Sequence, residues 1–280
     1  MHLKTLTLAA ATAAFTLHAH AQQLPQPSPL AKIEQQVGLT QVTIEYSRPS
    51  AKGRTIFGEL VPYGEIWRTG ANASTKVTVD GPVTIDGQPV KPGTYALLTV
   101  PGKDAWRIML NSDSKVNNGR DHKAENDVVA TKAVPGRTEH VETFTIGLAN
   151  VVNDGATVEL SWANTKVGFR IEAPATEQAL KNIETALAGD DVSAGTYHSA
   201  ARFCMDRGVH KDKVLEWAKK SVAMDDTRFW TQHTLALAYA ESGDKKNAIA
   251  AARKSSELAR KADAANYVKM NEEKIAEWSK

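Results

Sequence analysis

The spacing of hydrophobic residues changes once along the chain, near residue 174. From 30 to 173, apolar and polar residues alternate, as in QVTIEY at 41–46, WRIML at 106–110 and FTIGL at 144–148. Alternation sends successive side chains to opposite faces of an extended strand, so each segment is expected to be half buried. Turn motifs such as DGPV, DGQPVKPG, PGKD and NDGA separate these segments. The pattern predicts roughly nine or ten short strands in an antiparallel β-sandwich or flattened barrel.

The end of the β-like region predicts one particular hairpin. The alternating segments VELSW at 158–162 and VGFRI at 167–171 flank the polar tetrapeptide ANTK. Two alternating segments joined by a short polar stretch are typical of a β-hairpin, here with strands 156–163 and 166–173. The stretch APAT at 173–176 then ends the strand pattern.

After residue 175 the hydrophobic period becomes 3.6, which predicts helices, the first over 176–188. Two related segments follow, 197–225 and 232–260, offset by 35 residues. The alignment at this offset matches three pairs of residues: Gly208 with Gly243, Val214 with Ile249, and Ser221 with Ser256. The period is close to that of the tetratricopeptide repeat, which has two helices in about 34 residues. A last amphipathic helix over 263–278 would cover the open end of the array.

Composition fits an ordinary soluble protein of two domains. The chain has 280 residues, of which 42% are hydrophobic and 24% charged, with a formal net charge of +2. So small a charge argues against nucleic acid as a partner, and no segment after the N-terminus is apolar enough for a transmembrane helix. The predicted fold class is therefore α+β multidomain, with an N-terminal antiparallel β-sandwich at 22–174 and an α-helical tetratricopeptide-like repeat module at 175–280.

The N-terminus has the pattern of an export signal. Lys4 precedes an Ala-rich apolar run over 6–17, and Ala19-His20-Ala21 fits the small-x-small cleavage rule. We therefore predict a signal peptide at 1–21 and a periplasmic or extracellular protein, with an uncleaved anchor as the alternative. Cys204 is the single cysteine, so no intramolecular disulfide can form and packing must stabilise the fold.

Residues 45–76 interrupt the strands with arginines, aromatics and glycines, most densely in YGEIWRTGANAST at 63–75. Long ordered loops on β-sandwiches are common binding sites, and the planar guanidinium of Arg suits carboxylates and phosphates. One interpretation is a pocket for an anionic or sugar-like ligand, with six candidate binding residues: Arg48, Arg54, Tyr63, Trp67, Arg68 and Asn72. A second is a structural plug, in which Phe57 and Trp67 fill the end of the sandwich and Arg68 pairs with Glu45 or Glu65. A third is a catalytic loop.

No motif in the sequence indicates catalysis, a cofactor or a metal. The histidines lack metal-ligand spacing, and the chain has no nucleophile elbow, P-loop or dinucleotide fingerprint. The favoured hypothesis is a non-catalytic binding or scaffolding protein that uses no cofactor, with the helical repeat as a surface for a protein or peptide partner. The alternative is a hydrolase acting on envelope material, in which Arg54 and Arg68 stabilise an oxyanion and Glu45 or Glu65 acts as the base.

Four motifs occur in order within the β-like region: SRP, KGRTIFG, VPYGEIWRTGAN and WANTK. On these residues, about 30–173 resembles a bacterial family catalogued as domain of unknown function 2911. The resemblance implies an exported β-rich domain, followed by helical repeats in some members, and it implies no particular activity. Relatives are expected to carry aromatics where this chain has the polar stretch SDSKVNNGRDHKAEN at 112–126, so a pocket shaped by those aromatics would be altered here.

Overall fold

The computed structural model describes residues 24–152 and 154–280. The predicted signal peptide at 1–21 lies outside the described residues. The chain divides after Ala173 into two compact units. The first is built from strands and the second from helices, so the change of hydrophobic period marks the change of secondary structure.

The described residues of the first unit form ten strands in two antiparallel sheets. In chain order the strands are β1 (Leu30–Val37), β2 (Thr40–Ser47), β3 (Ala71–Val79), β4 (Val83–Ile85), β5 (Gln88–Val90), β6 (Gly93–Val100), β7 (Trp106–Asn111), β8 (Asp127–Ala133), β9 (Gly136–Val152) and β10 (Gly155–Glu172). The strand order is β1-β2-β3-β6-β7-β8 in the six-stranded sheet and β5-β4-β10-β9 in the four-stranded sheet.

Both sheets contribute to one hydrophobic core. Each strand sends alternate side chains inward, as its sequence pattern predicts, and these side chains form a single cluster. The cluster includes Ile44 and Ile108 from the six-stranded sheet. It also includes Leu160 and Ile171 from the four-stranded sheet. The outward-facing residues alternate with them, and several of these build the site described below.

The predicted hairpin of 156–163 and 166–173 is wrong. These residues form one continuous strand, β10, whose partner along most of its length is β9. At the supposed turn, Ala163 adopts a left-handed conformation (φ 50°), and the register with β9 shifts on both sides of it. The polar ANTK stretch therefore produces a bulge, which bends a strand without reversing it.

The second unit contains six helices within the described residues. They are α1 (Thr176–Leu187), α2 (Ala194–Arg207), α3 (Lys211–Met224), α4 (Phe229–Glu241), α5 (Lys245–Lys261) and α6 (Ala265–Trp278). Consecutive helices pack against one another from α1 to α6. Small side chains allow close approach, and Ala236 on α4 and Ala248 on α5 are completely buried. In the described part of the chain, no helix is long and apolar enough to cross a membrane.

The two copies of the repeat are offset by different numbers of residues in their first and second helices. The single offset of 35 used in the sequence alignment is therefore wrong for the second helix. Helices α2 and α4 begin 35 residues apart, whereas α3 and α5 begin 34 apart. The linkers 208–210 and 242–244 are equally long, and the difference arises because α2 is one residue longer than α4. Buried positions follow the shorter offset, so Ser221 corresponds to Ser255 and not to Ser256. The two hydroxyls make equivalent hydrogen bonds, from Ser221 to the carbonyl of Ala194 (2.8 Å) and from Ser255 to that of Phe229 (2.7 Å).

Candidate functional site

Trp67 belongs to the core and is not exposed for a ligand. Its backbone pairs with Thr99 on β6 in both directions, at N···O distances of 2.7 and 2.9 Å. The indole N–H donates to the carbonyl of Gly70 at 3.0 Å. Ring centroids of four other aromatic side chains lie 5.1–6.3 Å from that of Trp67. These side chains are Phe57, Trp106, Phe144 and Trp162. Trp67 therefore anchors the loop between β2 and β3.

Arg48 and Arg54 are engaged by hydrogen bonds within the protein. Arg48 donates from Nε to the carbonyl of Phe144 (3.1 Å) and from Nη2 to the hydroxyl of Thr145 (2.8 Å), which ties the loop to β9. Arg54 donates to the carbonyls of Ala51 (2.9 Å) and Ser50 (2.7 Å) in its own turn. Both guanidinium groups thus stabilise the loop conformation, and they bond to different parts of the chain.

Asn72 also holds the loop in place, whereas Tyr63 covers a glycine at the loop surface. The amide of Asn72 donates to the carbonyl of Ser28 and to the hydroxyl of Ser47, both at 3.2 Å. Tyr63 is partly exposed, and its ring lies over Gly58, where an added Cβ would be 2.8 Å from the ring. Gly58 has a φ of +100°, so a larger residue there would be both strained and in collision with the tyrosine.

Arg68 is the exception among the six predicted residues. Because Trp67 points into the core, the neighbouring Arg68 lies on the outer face of the six-stranded sheet. Its Nε is buried and has no hydrogen-bond partner among the described residues. The expected ion pair with Glu45 or Glu65 is absent from the described residues. The predicted residues therefore do not converge on one pocket.

A row of residues crosses the same outer face and was missed by sequence reasoning. The antiparallel bridge between Trp67 and Thr99 places the residues beside them, Ile66 and Val100, opposite each other. Strand pairing sets Val100 opposite Arg107, and Arg107 opposite Lys132. Directly opposite residues have Cβ atoms about 4.5–5.5 Å apart and share a face. The row is therefore Ile66, Val100, Arg107 and Lys132.

A cleft of about 710 Å³ lies over the first three residues of this row, Ile66, Val100 and Arg107. We call it the outer-face cleft. Its lining residues come from the β2–β3 loop, from β6 and β7, and from the segment after β7: Gly64, Glu65, Ile66, Val100, Arg107, Asn118, Gly119 and Arg120. Within the part of the chain that the structure describes, the side chains of Arg107, Arg120 and Glu65 form no salt bridge and no hydrogen bond. No protein group among the described residues therefore satisfies these three exposed side chains.

The polar segment at 112–126 forms one wall of the outer-face cleft. Val116 anchors it by packing on Leu98 and Met109 of the sheet, in a small apolar cluster separate from the main core. Asn117 donates to the carbonyl of Asn72 at 3.2 Å. Near its end, His122 Nε2 lies 2.9 Å from both carboxylate oxygens of Asp127 on β8. A segment that sequence reasoning treated as polar in character is thus fixed to the sheet by one apolar side chain and several hydrogen bonds.

The histidines, the cysteine and the carboxylates of the described residues form neither a metal site nor a reactive thiol. No cluster of three or more His, Cys, Asp or Glu side chains within 24–152 and 154–280 is placed to hold a metal ion. In the helical unit, burial lowers the pKa of His198 and of His233. His233 has a partner, the amide oxygen of Asn271 at 2.7 Å, whereas Nδ1 of His198 is buried without one. Burial also raises the pKa of the Cys204 thiol, which disfavours a reactive thiolate.

A protein-family model described as "Protein of unknown function (DUF2911)" matches residues 28–171. The match covers half of the chain and nearly all of the β unit. The chain belongs to the DUF2911 family. The resemblance inferred from the four motifs is thereby confirmed for the β unit, while the helices lie outside the matched range. A search of curated proteins gave no match.

Proposed function

We propose that this DUF2911 protein is an exported, non-catalytic binding protein. Its two sheets act as a sandwich that holds a small ligand in the outer-face cleft, and its helices act as a tetratricopeptide-like interaction module. The observation that carries the proposal is the cleft itself, about 710 Å³ in volume and lined by Arg107 and Arg120. Polar side chains that lack partners inside the protein are available to a ligand.

The hydrolase alternative has less support. It requires Arg54 or Arg68 beside Glu45 or Glu65. Arg54 donates to two carbonyls of its own turn. Glu45 lies on β2, where its cross-strand neighbours are Lys32 and Lys76. Arg54 is therefore already engaged, and neither Arg68 nor Arg54 forms an ion pair with Glu45 or Glu65 among the described residues.

The helical unit supports the interaction role by its construction. Helix pairs α2–α3 and α4–α5 repeat the same packing, and Ser221 and Ser255 make equivalent hydrogen bonds in the two pairs. Stacked helix pairs commonly present an extended surface for a peptide or protein. Export rests on the signal pattern at 1–21.

Filling the cleft tests the proposal. An added Cβ at Gly119 would meet Ile66 at 3.5 Å, an ordinary contact, so Gly119→Leu should fold and occupy the cleft. Gly147→Leu is the matched control, because Gly147 lies on β9 with open space around it. The mature chain from residue 22 would be screened against small metabolites and sugars by native mass spectrometry. We expect at least one compound to bind the unmodified chain and Gly147→Leu but not Gly119→Leu. Equal binding to all three, or no binding at all, would contradict the proposal.

A further inference from the structure

We infer that the outer-face cleft recognises an oxyanion group, a carboxylate or a phosphate, on its ligand. The contacts are Arg107 from the sheet and Arg120 from the facing segment, and Lys132 lies opposite Arg107 on the next strand, outside the lining. This inference rests on the proposed function and specifies the chemistry of the ligand.

The first support is a like-charge pair built into the sheet. Arg107 on β7 and Lys132 on β8 are directly opposite each other and project from the same face. Like charges in this position destabilise a sheet when nothing neutralises them. Neither side chain has a salt bridge or hydrogen bond among the described residues. An anion bound between them would remove this repulsion.

The second support is the position that two unpaired cations share. Some strand cations of the unit have carboxylate partners, as Lys166 has with Glu159 at 3.2 Å and Arg170 with Glu172 at 3.5 Å. Others, such as Arg137, have no salt bridge among the described residues. Arg107 differs from Arg137 because it lines one cleft together with Arg120, a second cation without a salt bridge in the described chain.

The third support is the composition of the lining. Arg107 and Arg120 bring two positive charges to the cleft, and Glu65 brings the single negative charge among the lining residues. The overall charge of the chain is only +2, so this positive character is local. Apolar Ile66 and Val100 lie in the same lining, and low-polarity walls strengthen charge–charge attraction. A guanidinium group binds carboxylate or phosphate through two parallel hydrogen bonds, which suits both proposed groups.

The test compares defined anions on the mature full chain. The probes are inorganic phosphate, acetate, glucose 6-phosphate and glucuronate, with glucose as the uncharged comparison. Thermal unfolding of the β unit is followed at constant ionic strength, since ligand binding to the folded state raises Tm. Phosphate also stabilises folded proteins by exclusion from their surfaces. The informative quantity is therefore the difference between variants, and Arg137→Ala is the matched control because Arg137 is an exposed cation on β9 outside the cleft.

We expect at least one anionic probe to raise Tm in the unmodified chain and in Arg137→Ala. Arg107→Ala should weaken its binding about tenfold or more, because a charge-assisted hydrogen bond is lost. A response to phosphate compounds alone, or to carboxylates alone, identifies the source of the oxyanion. Equal anion responses in Arg107→Ala and Arg137→Ala would overturn the inference. Binding of glucose without binding of any anion would also overturn it, yet would leave the proposed binding function standing.

Discussion

Replacing Trp67 by alanine should destabilise the β unit strongly without direct damage to the outer-face cleft. Trp67 is 9% exposed and lies among four aromatic rings, with Trp162 stacked at 5.9 Å between centroids. Truncation of a large core side chain to alanine costs about 3–5 kcal/mol. The buried carbonyl of Gly70 also loses its indole donor. Against a typical domain stability of about 5–15 kcal/mol, Trp67→Ala should leave the β unit folded but marginal.

Urea unfolding of the full chain measures this effect. Near-ultraviolet circular dichroism reports the aromatic cluster, and the far-ultraviolet helix signal reports the second unit, whose transition should not move. Tyr63→Ala is the matched control, because this aromatic of the same loop is 40% exposed. It should cost less than about 1 kcal/mol, as most surface substitutions do. Trp67→Phe should fall between the two, since it keeps an aromatic ring and loses the N–H donor.

A small effect of Trp67→Ala would show that Trp67 is not a core residue. A loss below about 1 kcal/mol, equal to that of Tyr63→Ala, would mean that the indole is not part of a close-packed core. If the same variant kept its stability and lost ligand binding, Trp67 would be a binding residue, as one of the interpretations of the sequence holds.

Three further predictions concern single side chains. Burial, with a smaller effect of Arg202, lowers the pKa of His198. The stability that this group contributes is therefore complete above its ordinary pKa of about 6.5 and is lost as pH falls through the lower folded-state pKa. His198→Gln should therefore make the stability of the helices less sensitive to acid. His210→Asn should leave this sensitivity unchanged. Urea unfolding at a series of pH values measures both effects. Asn271→Ala removes a fully buried amide that bonds to two side chains, and it should cost about 1–3 kcal/mol in the helix transition. Lys132→Ala should raise the stability of the unliganded β unit by about 0.2–1 kcal/mol, because it removes the repulsion between Lys132 and Arg107. A decrease in stability, measured by calorimetry, would contradict this repulsion.

Local periodicity was enough to predict the two kinds of unit. Alternation in QVTIEY, WRIML and FTIGL became strands β2, β7 and part of β9, and the helical segment 263–278 became α6. These predictions depend on neighbours in sequence, which a hydrophobic pattern records directly. The hairpin predicted around ANTK was wrong because the same polar residues fit a turn or a bulge. Pairing of β10 with β9, which the local pattern does not record, favours the bulge.

The candidate site was harder to predict for a related reason. Arg48, Arg54 and Arg68 are close in sequence, and this closeness suggested a common pocket. In the structure they face β9, their own turn and the outer face of the sheet respectively. Arg107 and Lys132, by contrast, are distant in sequence and meet only through the register of β7 and β8. The one available signal was the outward position of Arg107 in the alternating WRIML, which a single sequence cannot connect to a partner on another strand.

If the outer-face cleft binds the ligand and the β2–β3 loop around Arg54 serves only as a plug, amide chemical shifts should distinguish the two regions. The mature chain would be titrated with the anionic probe that raises Tm most. We expect the largest shifts at Ile66, Val100 and Gly119, with saturation at one common affinity. Shifts concentrated at Lys52 and Arg54, with none at Gly119, would contradict it.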